Sequence, residues 1–363
     1  MHGYGYQRVQ ENKMKVTIRQ IAKQLGVHHT TVSRALRNSP RISENMRQRI
    51  KSLAIKLGYR PNLVASGLST RKTFNVGLIV ADISTTFFSQ VARGVEDTMR
   101  RAGYNVFICN TDDKIEDEKF HWDALISRGV DGIIISPANL KPRYLQKLLG
   151  AGVPIVFIDR CLPSLRASYV ITDHFSGGYQ MTKYLLSLGH RRIAYVRGEV
   201  EMGRFYGYEH ALKEYGIPVD NSLTPVCDFT IEGGKKAAKK LVRMEHPPTA
   251  IFCVNDPVAL GAMKAIREHG FRIPEDISLA GFDNADFAEF LQPPLTTVHQ
   301  SKYELGEEAA RILLQEMNGK LREPRKVELK PVLVIRDSCR HIGDSRVNSA
   351  LPECLLLATT IIA

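Results

Sequence analysis

Apolar positions along this chain follow two rhythms, and the change between them falls near residue 75. In residues 17–58, TIRQIAKQLGVHHTTVSRALRNSPRISENMRQRIKSLAIKLG, they recur at helical spacing. Ile18, Ile21, Ala22 and Leu25 predict the buried face of a first helix, opened by a Thr17–Gln20 capping box and stopped by Gly26. A third helix is predicted from a cap at Ser43, with Met46, Ile50, Leu53, Ala54 and Leu57 inward and Gly58 at its end. Between them, VHHTTVSRAL (27–36) predicts a second helix with only a narrow apolar seam. Val32 and Leu36 are its expected anchors, with Ala35 alongside. The rest of its surface is short-chained and rich in hydrogen-bonding groups, which suits reading a partner better than packing.

From Val76 the pattern turns to short apolar runs: VGLIVADI (76–83), NVFICNT (105–111), GIIIS (132–136), PIVFID (154–159), RIAYVRG (192–198), AIFCVND (250–256), ISLAGFD (277–283) and PVLVIR (331–336). Amphipathic segments such as FSQVARGVEDTMRRAG and YQMTKYLLSLGH lie between them. Strands buried on both faces with helices in alternation predict a doubly wound parallel sheet. The pattern runs twice before residue 340, so two lobes are expected, with a ligand cleft where the carboxyl ends of their strands meet. Those ends carry Asp82, Asp159 with Arg160, Asn255 with Asp256, and Asp283, while Arg204 and Phe229 fall in loops. Taken singly, an Asp after a strand is as well explained as a turn former or helix cap. Their recurrence at strand ends favours the cleft.

Charge sharpens the division. The net charge of +12 is concentrated in residues 1–72, where 15 Lys and Arg face 2 Asp and Glu; the remainder holds 35 against 36. Such a head implies a polyanionic partner, nucleic acid or an anionic membrane. Two short helices joined at a Gly turn, with a third in support, is the helix-turn-helix arrangement. His29, Thr30 and Arg34 are then the expected base readers, with Thr31 and Ser33 on phosphates. The bland alternative is a three-helix bundle with a solvated basic face, or a protein-binding module. Six scattered cysteines without a C-x-x-C pair argue against zinc and redox motifs and fit a reducing cytoplasm. The first fifteen residues contain no apolar stretch of signal-peptide type, and no run reaches the roughly 18 apolar residues of a spanning helix. The apolar LLLATTIIA near the end is too short for an anchor.

The motifs TIRQIAKQLGV, TTVSRAL, GYRPN and VASGLST resemble the lactose/galactose-repressor (LacI/GalR) family, and the resemblance extends to about residue 340. It departs from the family at His28, where Ser or Thr usually caps the recognition helix, so a weaker cap is expected. The resemblance implies a small all-α helix-turn-helix head (17–61), a hinge helix and linker (62–75), and an α/β periplasmic-binding-protein-like core of two doubly wound lobes (76–340). Residues 1–16 are then a disordered extension and 341–363 an atypical tail. In the hinge, Gly67 and the short length make a helix too weak to persist alone, and Leu68 is the expected minor-groove wedge; an ordinary linker is the alternative. Thr17, Asn62 and Ala65 complete the implied DNA-binding residues. The resemblance places effector contacts at Phe87, Phe88, Asp159, Arg204, Phe229, Asn255 and Asp283, to which the strand-end pattern adds Asp82 and Arg160. Aromatic faces with carboxylates suit a sugar or similar polyol, and Arg160 with Arg204 could pair an anionic group.

The expectation is a ligand-responsive, sequence-specific transcriptional regulator, a repressor, acting as a homodimer on a pseudo-palindromic double-stranded DNA operator, with no cofactor, no metal and no membrane partner. The chain contains no G-x-x-x-x-G-K-[ST] loop, H-E-x-x-H or G-x-S-x-G, and the cleft set has no obvious nucleophile beside a base, which speaks against an enzyme. A solute receptor for uptake and a sugar-metabolism enzyme with a DNA-binding appendage are the competing readings.

Overall fold

The computed structural model describes residues 16–36, 38–59, 72–162, 164–198 and 203–342. The chain divides into two compact units, Met1–Thr73 and Phe74–Ala363. The predicted N-terminal extension apart from Val16, the hinge at 62–71, and the tail beyond Ile342 lie outside the described residues.

In the first unit α1 (Ile18–Leu25), α2 (His29–Leu36) and α3 (Glu44–Lys56) enclose Ile21, Ala22, Val32, Ala35, Ile50 and Ala54. The Thr17–Gln20 capping box is present, and Gly26 closes α1 at φ 65°, a left-handed turn that glycine adopts at little cost. Two local expectations are corrected. Ala35, not Leu36, is the second buried anchor of α2, because i and i+3 from Val32 meet the small core and Leu36 stays at its margin. Ser43 precedes α3 but its hydroxyl makes no capping bond.

The second unit is built from two parallel sheets and a two-stranded antiparallel ribbon. The first lobe holds six strands in the order β11-β5-β4-β3-β1-β2, formed by β1 (Asn75–Val80), β2 (Asn105–Asn110), β3 (Gly132–Ile135), β4 (Ile155–Ile158), β5 (Ser168–Thr172) and β11 (Lys326–Leu329). Every pairing in it is parallel. The second lobe holds β7 (Val226–Cys227), β6 (Ile193–Gly198), β8 (Ala250–Cys253) and β9 (Ser278–Ala280), again all parallel. Helices α4 (Thr86–Arg101), α5 (Ile115–Ser127), α6 (Pro142–Leu149) and α11 (Lys302–Met317) belong to the first lobe. Helices α7 (His174–Ser187), α8 (Gly203–Glu214), α9 (Ile231–Val242) and α10 (Asp256–Glu268) belong to the second. The chain passes between lobes after β5, again between β10 (Thr297–His299) and α11, and again between β11 and β12 (Val332–Val334).

The all-parallel, doubly buried picture needs three corrections. Residues 331–336 do not join a parallel sheet: β12 pairs antiparallel with β10 in a two-stranded ribbon beside the crossovers. β2 is an edge strand whose Phe107 and Ile108 are exposed, so it is not covered on both faces. Strands β5, β7, β10 and β11 escape the apolar pattern because β7 and β10 hold only two and three residues, while Ser168 and Thr172 in β5 and Lys326 and Glu328 in β11 break the apolar run.

Candidate functional site

Two places carry the expected chemistry, the outer face of α2 and the strand ends between the lobes. On α2 the residue that breaks the family pattern also supplies the cap. The carbonyl of His28 accepts the Thr31 N–H at 2.9 Å. Its ring Nδ1 accepts the Thr30 N–H at 3.4 Å and lies 2.9 Å from the Thr30 hydroxyl. The imidazole thus fills the place of the usual hydroxyl at an orphan helix donor, and the expected weakening of the cap is offset. Thr30 and Arg34 are exposed, whereas His29, Thr31 and Ser33 are half-buried along the seam. Thr17 is engaged locally, its N–H donating to Gln20 Oε1 at 2.7 Å. Asn62, Ala65 and Leu68 lie outside the described residues.

Within the second unit, strand ends of both lobes converge on one charged cluster. Asp159 follows β4 at φ 64°, accepts from Ser136 Oγ at 3.2 Å, and lies 3.3 Å from Arg160 Nε and 3.9 Å from His174 Nε2. His174 opens α7, just past the first crossover, and its ring lies 6.0 Å from that of Phe282. Arg204, on α8, places its guanidinium over the Phe282 ring at 4.2 Å, with Nη2 3.9 Å from Asp283 Oδ1. Asp283, at φ 108° beyond β9, also accepts from Gln300 Nε2 at 2.6 Å.

Behind it the Lys302 amino group donates to the carbonyls of Asp283 and Asn284 at 2.6 and 3.0 Å. Asp256 is fully buried and accepts from Thr297 Oγ1 and the Ala285 N–H, both at 2.6 Å.

Burial dominates the protonation of Asp283, Asp256 and His174. It pushes the Asp283 carboxyl up to about 6 against the opposing pull of Arg204 and Lys302. It pushes Asp256 up to about 7, helped by the Asp283 charge. Burial, then Arg204, holds the His174 imidazole well below its ordinary value, so that ring is neutral.

Other predicted residues are occupied differently. Asp82 accepts the Ser84 N–H at 2.9 Å, a turn-forming contact. Asn255 caps α10 through the Val258 N–H at 2.9 Å, and its amide reaches the Phe229 carbonyl at 3.3 Å. The Phe229 ring lies over Gly198, where an added Cβ would stand 2.3 Å from it. Phe87 and Phe88 form an edge-to-face pair at 4.9 Å but are largely buried in the first lobe's core. Arg160, expected to be open to an anion, is instead forked onto Asp113 at 2.9 and 3.0 Å. Burial works against its charge, but Asp159 and Asp113 outweigh that and raise its pKa. Asp113 escaped the strand-end pattern because it sits three residues past β2, where the backbone is left-handed at φ 56°, and its partner is distant in the chain. His174, Gln300 and Lys302 also escaped it, since they lie on crossovers rather than after the strands read from the sequence.

A helix-turn-helix head joined to a two-lobed core with a charged cleft defines a DNA-binding transcriptional regulator controlled by a ligand. Residues 17–62 match the model for bacterial regulatory proteins of the lacI family, and 182–339 match the periplasmic binding protein-like domain. The HTH-type transcriptional regulator DegA of Bacillus subtilis (strain 168) is 37% identical over 332 residues, covering 90% of this chain and 98% of that protein. The structure of the lac repressor dimer bound to operator and the anti-inducer ONPF has a TM-score of 0.82 at 27% identity, covering 90% of this chain and 99% of that one. The transcriptional regulator CelR–cellobiose complex has a TM-score of 0.69 at 31% identity, covering 89% and 100%. The chain belongs to the LacI family, whose matched members are regulators rather than enzymes. No helix among the described residues is long and apolar enough to cross a membrane.

Proposed function

We propose that this protein is a cytoplasmic repressor that binds a pseudo-palindromic operator as a homodimer and is released or engaged by a sugar or sugar derivative held between its lobes. The carrying observation is the cluster Asp159, His174, Arg204 and Asp283, in which groups from both lobes lie within 4 Å of a partner. A ligand bridging them favours one lobe arrangement over another, which is the differential contact a population shift requires. On DNA, Thr30 and Arg34 read base edges, while Thr31 and Ser33, with Thr17, hold the backbone. His29 contributes at the rim of that face, and Asn62, Ala65 and Leu68 act at the minor groove between half-sites. In the cleft Phe229 and Asn255 shape the wall, Phe87 and Phe88 support it from the first lobe's core, and Asp82 sets the adjoining turn. The bound lac repressor dimer and the cellobiose-bound regulator support this reading by likeness.

The test is operator binding by the full chain across salt concentrations, with and without sugars. A head with 15 basic and 2 acidic residues in positions 1–72 loses affinity by about 10³ or more between 50 and 200 mM salt if it covers six or more phosphates. Arg34→Ala lowers specific binding by about 1–3 kcal/mol while leaving non-specific binding nearly intact. Affinity for DNA that ignores salt would sink the proposal.

A further inference from the structure

Of the cleft's two guanidinium groups, Arg160 is already committed. Arg160 presents a two-bond fork to Asp113, at 2.9 and 3.0 Å, and its Nε faces Asp159 at 3.3 Å. Arg204 lies 3.9 Å from Asp283 with its flat face on Phe282. Three carboxylates therefore face two guanidinium groups. Lys302 and Asp256 do not change that balance toward the opening, because both are buried and bonded to backbone or hydroxyl partners behind Asp283. An entering phosphate or carboxylate must either displace Asp113 from a bidentate pair or lie against carboxylates, and like-charge juxtaposition of that kind disfavours binding.

The unsatisfied atoms point the same way. Arg204 Nε, a donor, Gln300 Oε1, an acceptor, and His174 Nδ1, which takes either role in a neutral ring, are buried without partners. A hydroxyl both donates and accepts, so a polyol can serve all three and the carboxylates as well. An anionic oxygen placed there only accepts and leaves Gln300 Oε1 without a donor, at the cost of a buried unmade bond. A planar base is poorly served, since the Phe282 face is covered by Arg204 and Phe87 and Phe88 are enclosed by the first lobe.

We propose that the cleft selects an uncharged polyhydroxylated ligand over its phosphorylated or carboxylated counterpart, and that Asp113, by forking onto Arg160, sets that selection. This rests on the ligand-gated reading above. The experiment titrates the full chain, free and on operator DNA, with ribose, glucose, galactose and cellobiose against ribose 5-phosphate, glucose 6-phosphate, galacturonate and adenine. The wild type answers to a neutral sugar and at least about tenfold more weakly to its charged counterpart. Asp113→Asn keeps a residue that tolerates the left-handed backbone but loses the charge, and it narrows that ratio by about tenfold. Asp113→Ser serves the same comparison if the Asn variant fails to fold.

A wild type that prefers a charged sugar or adenine, or a ratio unmoved in both variants, overturns the proposal alone. Operator binding that no compound alters overturns it together with the reading on which it rests.

Discussion

At the residue scale, His28 shows how one side chain can stand in for another by geometry. An imidazole nitrogen at the cap position meets the Thr30 N–H at 3.4 Å, the role a hydroxyl usually plays. The long bond implies a modest contribution, so His28→Ala is expected to destabilise the start of α2 by about 0.5–1 kcal/mol. The readout is faster amide exchange at Thr30 and Thr31, with His28→Ser restoring protection; unchanged exchange in the Ala variant removes the capping role. From sequence alone the departure reads as a loss, because propensity rankings do not include a ring folded back on its own helix. Asp113 makes the complementary point. Its partner Arg160 is 47 residues away in the chain, so no local pattern could expose the pairing.

At the scale of elements, close backbone approaches position the cleft. An added Cβ at Gly178 on α7 would stand 2.2 Å from the Arg204 carbonyl on α8. Gly178→Ala must push these helices apart, at about 1–3 kcal/mol for an overpacked contact, and it carries Arg204 away from Asp283. Sugar titration is expected to weaken by more than operator affinity does. Gly150→Ala is the control: its φ is −73° and the nearest atoms to the added Cβ lie at 3.5 Å, so stability stays within about 0.5 kcal/mol. Equal loss in both variants would contradict this account. The strands with continuous apolar runs, β1, β3, β4, β6 and β8, were legible because they are covered on both faces. Strand β12 has a similar composition but pairs antiparallel, a choice made by the returning crossover.

For the whole molecule, the buried ionisable groups predict an unusual dependence of stability on pH. Asp256 is raised to about 7 and Asp283 to about 6, burial being the first cause in each. The folded state therefore holds protons that the unfolded chain has released, and their stabilisation is lost as pH rises through those values. His190, lowered to about 4 by burial, works in the opposite sense and costs stability below its ordinary value of 6.5. Thermal unfolding of the full chain is thus expected to shift upward on going from pH 8 to about 6.5, and to gain less or reverse below that. Asp256→Asn should flatten the upper limb; a wild-type midpoint that rises from pH 6.5 to 8 would refute the assignment.

The sequence by itself determined the cationic three-helix head, the alternating α/β core and the family, because cap residues, helical spacing and doubly buried apolar runs are local signals with local causes. Only the tertiary structure decided which strand-end residues meet. It committed Arg160 to Asp113, joined Gln300 and Lys302 to Asp283 through a crossover, and engaged Asp82 in a turn and Asn255 in a helix cap. Those outcomes depend on the order in which the strands are assembled and on where the chain changes lobe, and residues distant in sequence acquire their charge partners only there.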